Sequence, residues 1–99
     1  MELFSVLVVD DEEDFVETMV NRLKKRTIDA AGAPSGEDAL KLLGKREFDV
    51  VILDIKMPGG MDGIETLKEI KKIQPLTEVI LLTGHAAVES SIEGMKLGA

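Results

Sequence analysis

The chain has 99 residues with no Cys and a single His, and its 19 acidic residues against 12 basic ones give a formal charge of −7. This length allows one domain with an ordinary apolar core, and the residue counts exclude disulfides, thiolate metal sites and imidazole clusters, so a bound metal must use oxygen ligands. The charge disfavours nucleic acid and anionic membranes and suits a cationic partner; with no basic leader at Met1-Glu2-Leu3-Phe4-Ser5 and no apolar run near about 20 residues, the expected location is cytoplasmic.

The first run, Val6-Leu7-Val8-Val9, is apolar without alternation, as strands buried on both faces require. Phe15, Val16, Met19, Val20 and Leu23 then share one face, with Glu17, Asn21, Lys24 and Lys25 opposite, which predicts an amphipathic helix covering a sheet. A weaker strand is expected at Thr27 to Ala31. Ser35 is the expected N-cap of a second helix, with Asp38 three residues on, an apolar side of Ala39, Leu40, Leu42 and Leu43, and Gly44 as its stop. Val50-Val51-Ile52-Leu53 repeats the buried-strand pattern. Asp62 is a candidate cap for a third helix that carries Ile64, Leu67 and Ile70 and ends at Gln74-Pro75. Val79-Ile80-Leu81-Leu82 is the last strong strand, and a fourth helix is expected from about Ala87 to Met95.

Strict alternation of strands and helices predicts an α/β fold with a doubly wound parallel sheet, a single domain over residues 1–99. After Leu97-Gly98-Ala99 the pattern asks for a further strand. The chain is therefore expected to be truncated, leaving the strand from Thr77 to Thr83 as an apolar edge through which copies would associate into a homo-oligomer.

Each strong apolar run ends in a polar residue: Asp10-Asp11, Asp54 and Thr83. In open parallel sheets, ligands bind outside the carboxyl ends of the strands. If the first and third strands are neighbours, about 5 Å apart, Asp10, Asp11 and Asp54 converge. Three such carboxylates raise one another's pKa unless a cation neutralises them, and an oxygen-only cluster suits Mg²⁺, or Mn²⁺ in its place. A carboxylate can itself attack phosphorus, and the Thr83 hydroxyl, one strand away, is placed to donate to a phosphoryl oxygen.

Val6-Leu7-Val8-Val9-Asp10-Asp11-Glu12, Asp49-Val50-Val51-Ile52-Leu53-Asp54-Ile55-Lys56-Met57-Pro58, Met61-Asp62-Gly63 and Leu82-Thr83-Gly84-His85-Ala86 together resemble the motifs of response-regulator receiver domains, in the family's order along the whole chain. The resemblance implies a flavodoxin-like sheet of strand order 2-1-3-4-5, with the fifth strand and fifth helix missing from these 99 residues. It implies that Asp54 is the phosphoacceptor, that Asp11, Asp54 and the Lys56 backbone carbonyl bind Mg²⁺, that Asp10 acts through a metal-bound water, and that Thr83 contacts the phosphoryl group. The implied donor is a sensor histidine kinase or a phosphotransfer protein, and the implied output is an attached domain or an effector protein. The module is then regulatory rather than a metabolic enzyme, catalysing its own phosphorylation and dephosphorylation. Two departures stand out: the loop Met57-Pro58-Gly59-Gly60-Met61-Asp62-Gly63 is one residue longer than the usual form, and the family's Lys and switch aromatic fall beyond residue 99.

Simpler readings apply to several residues. Glu12, Glu13 and Asp14 are accounted for by the helix dipole, at about 0.3–1 kcal/mol each, and Asp54 in isolation reads equally well as a turn or cap residue. His85 and Lys24, Lys25, Lys41, Lys45, Lys68, Lys71 and Lys72 read as solvated groups. Among competing functions, a receiver-fold interaction module that has lost phosphotransfer is opposed by the intact Asp10, Asp11, Asp54 and Thr83. An Mg²⁺-dependent phosphohydrolase with an aspartyl intermediate needs a second Asp where this chain has Lys56. A flavin binder needs a phosphate-cradling loop where it has Asp10-Asp11-Glu12-Glu13.

Overall fold

A computed structural model describes residues 4–56 and 60–82. Within them the order is β1 (Ser5–Val9), α1 (Glu13–Lys25), β2 (Asp29–Ala33), α2 (Gly36–Leu43), β3 (Val50–Asp54), α3 (Gly63–Ile73) and β4 (Glu78–Leu82). The strands form one parallel sheet of order β2-β1-β3-β4. This is the flavodoxin-like arrangement the motifs imply. The helix expected from Ala87 to Met95 lies outside the described residues.

Pairing registers sort the side chains into two faces. Leu7, Val51 and Val79 form one row across the sheet, and Val9, Leu53 and Leu81 another; since side chains alternate along a strand, these six share a face. They form the main core with Ala39 and Leu43 of α2, Leu67 and Ile70 of α3, and Phe48. Each fully buried Leu, Ile, Val or Phe among them contributes about 1.5–3 kcal/mol. The opposite face carries Val6, Val8, Ala30 and Gly32, and α1 covers it there. A Cβ on Gly32 would run into Val16 of α1, so the small residues of β2 are what let that helix lie close.

The expectation of burial on both faces holds fully for β1, whose five residues are all buried. It fails on β4, where exposed Glu78 and Ile80 alternate with buried Val79 and Leu81, Ile80 being 48% exposed. Helix α1 covers β1 and β2 and, among the described residues, nothing equivalent covers β4, the outer strand.

The strand expected at Thr27 to Ala31 also needs correction: it runs from Asp29 to Ala33. Thr27 instead closes α1. Among the described residues it is the one non-Gly residue of positive φ, at 62°, and two bonds, Thr27 N–H to the Lys24 carbonyl at 3.0 Å and Ile28 N–H to the Leu23 carbonyl at 3.1 Å, complete a Schellman turn. The other helix signals stand as read. Ser35 Oγ accepts the Asp38 N–H at 3.1 Å and Asp62 Oδ1 accepts the Glu65 N–H at 2.8 Å, satisfying amides that have no partner within the helix. Gly44 ends α2 with its N–H on the Leu40 carbonyl at 3.0 Å, but in a right-handed conformation, φ −72°.

Candidate metal and phosphoacceptor centre

The three carboxylates stand at the carboxyl ends of adjacent strands. Val9 pairs with Leu53, so Asp10 and Asp54 occupy equivalent positions one residue further on. Asp10, Asp11 and Asp54 each offer an oxygen within 4.8 Å of the others. Asp10 and Asp54 are buried, 7% and 5% exposed, while Asp11 opens to solvent.

Local turns aim the two buried groups. The Glu12 N–H donates to Asp10 Oδ1 at 3.0 Å and the Lys56 N–H donates to Asp54 Oδ1 at 3.2 Å, the same two-residue Asx geometry at both strand ends. The simple reading of Asp54 as a turn residue is thus also true, and it serves the cluster by fixing the carboxylate. The ladder continues through the site: Asp10 N–H reaches the Ala33 carbonyl at 3.2 Å and Ile55 N–H the Leu82 carbonyl at 2.8 Å. Asp10 and Ile55 are therefore held by backbone on their outer sides.

Burial first, then the charges of Asp54 and Asp11, push the Asp10 carboxyl from 3.8 up to about 6, against the opposing pull of the Glu12 amide. Two buried carboxylates and a third beside them suit a hard, oxygen-seeking cation, whose charge would offset theirs. The donor set fits such an ion.

Of the residues singled out by sequence, the structure brings Asp10, Asp11 and Asp54 together. Lys56 is exposed at the edge of the cluster, next to Asp54 through its amide. Thr83 follows Leu82, which pairs with Asp54, and lies outside the described residues, as do His85 and Met57-Pro58-Gly59. Gly63 was read only as part of a motif, yet it is buried against the backbone of Asp54 and Ile55. A hollow of about 730 Å³ lies at the other end of the sheet. Its polar groups are engaged with one another, Arg46 with Asp29 at 2.6 Å and Ser5 with Asp49 at 2.8 and 3.1 Å, so it offers no convergent set of donors for a ligand.

The family model described as the response regulator receiver domain matches residues 6–99. The chain belongs to that family. Over 94 residues it is 39% identical to the transcriptional regulatory protein ZraR of Escherichia coli O157:H7, covering 95% of this receiver domain and 21% of that protein. The chain thus spans about a fifth of the length of the curated relatives it matches. Chemotaxis protein CheY4 of Vibrio cholerae superposes with a TM-score of 0.86 at 30% identity, covering 99% of this chain and 82% of that one. A response regulator of Burkholderia pseudomallei, solved with a phosphorylated aspartic acid, calcium ion and citrate, superposes with a TM-score of 0.84 at 28% identity, covering 97% and 56%. No helix among the described residues is long and apolar enough to cross a membrane.

Proposed function

We propose that this receiver domain accepts a phosphoryl group on Asp54 from a histidine kinase or phosphotransfer protein, in a reaction that needs Mg²⁺ or Mn²⁺, and that the modified site controls an output domain or effector in a longer cytoplasmic protein. The observation that carries the reading is the convergence of Asp10, Asp11 and Asp54 within 4.8 Å at the carboxyl edge of a receiver fold. The phosphorylated aspartate and calcium ion of the Burkholderia relative support it.

Asp11, Asp54 and the Lys56 carbonyl would hold the cation, with Asp10 reaching it through water. The cation supplies positive charge against the phosphoryl oxygens as they crowd the acidic cluster. The rest falls to the chain's own groups. The Lys56 amide fixes the Asp54 carboxylate, and an Asp54 oxygen attacks phosphorus. The new O–P bond forms as the donor's N–P bond breaks, and the departing imidazole takes a proton from solvent. Thr83 would donate to a phosphoryl oxygen and relay the change to the surface.

Intact mass after incubation with Mg²⁺ and acetyl phosphate tests the assignment. One phosphoryl adduct is expected on the wild type and none on Asp54→Asn. An adduct that persists in Asp54→Asn overturns the acceptor, and no adduct on the full-length protein favours the interaction-module alternative.

A further inference from the structure

We infer that Gly63 is a positioning residue for Asp54: having no side chain, it lets the first turn of α3 rest directly on the peptide that carries the acceptor, and so sets where that carboxylate stands relative to Asp10 and Asp11. The inference rests on the metal-binding reading above.

The contact is between backbones. Gly63 N–H donates to the Ile55 carbonyl at 2.9 Å. A Cβ on Gly63 would stand 2.5 Å from Ile55 Cα and 3.0 Å from the Asp54 carbonyl carbon, and would overlap the Asp54 carbonyl oxygen outright. The need is spatial, since Gly63 does not adopt a left-handed conformation. Ordinary contact begins at 3.4 Å, so any larger residue forces the two backbones apart by several tenths of an ångström or more.

Neither side yields easily. Strand β3 lies between β1 and β4, bonded to both. Helix α3 is held at its start by the Asp62 cap, by the Thr66 hydroxyl donating to the Asp62 carbonyl at 2.7 Å, and by Gly36 of α2 seated against the Thr66 side chain. The segment that takes up the displacement is the end of β3 with the loop after it, Asp54 to Lys56, which lies past the last pairing with β1 at Leu53 and carries two of the proposed ligands. Metal sites tolerate errors of only about 0.2 Å in ligand distance, so a displacement of that size disables the site before it unfolds the domain.

Titration with Mn²⁺, following the free ion by electron paramagnetic resonance, tests this alongside thermal unfolding in EDTA. Gly63→Ala is expected to weaken Mn²⁺ binding by about 10-fold or more, the range seen when groups that orient ligands are lost. Ser35→Ala is the control. It removes the bond to the Asp38 N–H at the start of α2 and puts no new atom against α3, so it should lower the melting temperature while leaving Mn²⁺ affinity within about two-fold, less than the loss of an orienting group causes. Unchanged affinity in Gly63→Ala, or an equal loss in both variants, overturns the inference.

Should Gly63→Ala fail to fold, Thr66→Val and Thr66→Ser decide instead. A loss of affinity in Val that Ser restores supports positioning through the first turn of α3, and no change in either overturns it. A wild type that does not bind Mn²⁺ overturns the metal reading and this inference with it, and the wild-type titration alone tells that failure from the others.

Discussion

In the metal-free chain the Asp10 carboxyl is buried beside Asp11 and Asp54, and its proton is held up to about pH 6 against an ordinary 3.8. Between those values the folded chain keeps a proton that the unfolded chain has released. Asp10 therefore contributes stability that is fully present below about pH 4 and lost as pH rises through about 6. Replacing it with Asn, whose amide oxygen still accepts from the Glu12 N–H, should stabilise the protein at pH 7.5 in EDTA, with the advantage shrinking toward pH 4.5. Urea titrations across that range check it, and a difference independent of pH would show that Asp10 is not its source. At this scale the carboxylates were legible because each follows an apolar run and so must emerge at a strand end. Gly63 was not, because its importance lies in which backbone another segment brings against it.

Helix and strand boundaries divide along the same line. The β-branched runs announced β1, β3 and β4 to within a residue, and the caps at Ser35 and Asp62 were readable from side-chain chemistry alone. Strand β2, Asp-Ala-Ala-Gly-Ala, has no β-branched residue, and its composition answers to Val16 of α1 lying over Gly32 rather than to strand propensity. Thr27 misled for a related reason: a β-branched residue promises a strand, and here it occupies the left-handed position of a helix stop at a cost of about 1–3 kcal/mol. Thr27→Gly should remove that strain and, after the added chain entropy of glycine, stabilise the domain by about 1 kcal/mol, a rise of about 4–8 °C in melting temperature. Ser35→Ala should act oppositely, costing about 1 kcal/mol through loss of the Asp38 N–H bond. Thermal unfolding of the two variants checks both signs.

The whole molecule couples the site to folding, because the three carboxylates meet only when β1 and β3 are paired. A cation that binds this arrangement and not the unfolded chain must stabilise the fold, by about 1.4 kcal/mol at ten times its dissociation constant. Any salt also screens the self-repulsion of a chain of charge −7, so the comparison has to be made at constant ionic strength, with NaCl replacing MgCl₂. Under that condition Mg²⁺ should raise the melting temperature of the wild type by several degrees and that of Asp54→Asn hardly at all. The pH dependence should also invert. Without the cation, Asp10 makes stability fall as pH rises toward about 6. With it, a proton on Asp10 and Mg²⁺ oppose one another within one cluster, so the gain conferred by Mg²⁺ should grow over that interval. A Mg²⁺ effect matched by NaCl, or one that persists in Asp54→Asn, would assign the stabilisation to screening of the whole surface and remove the cluster as its origin.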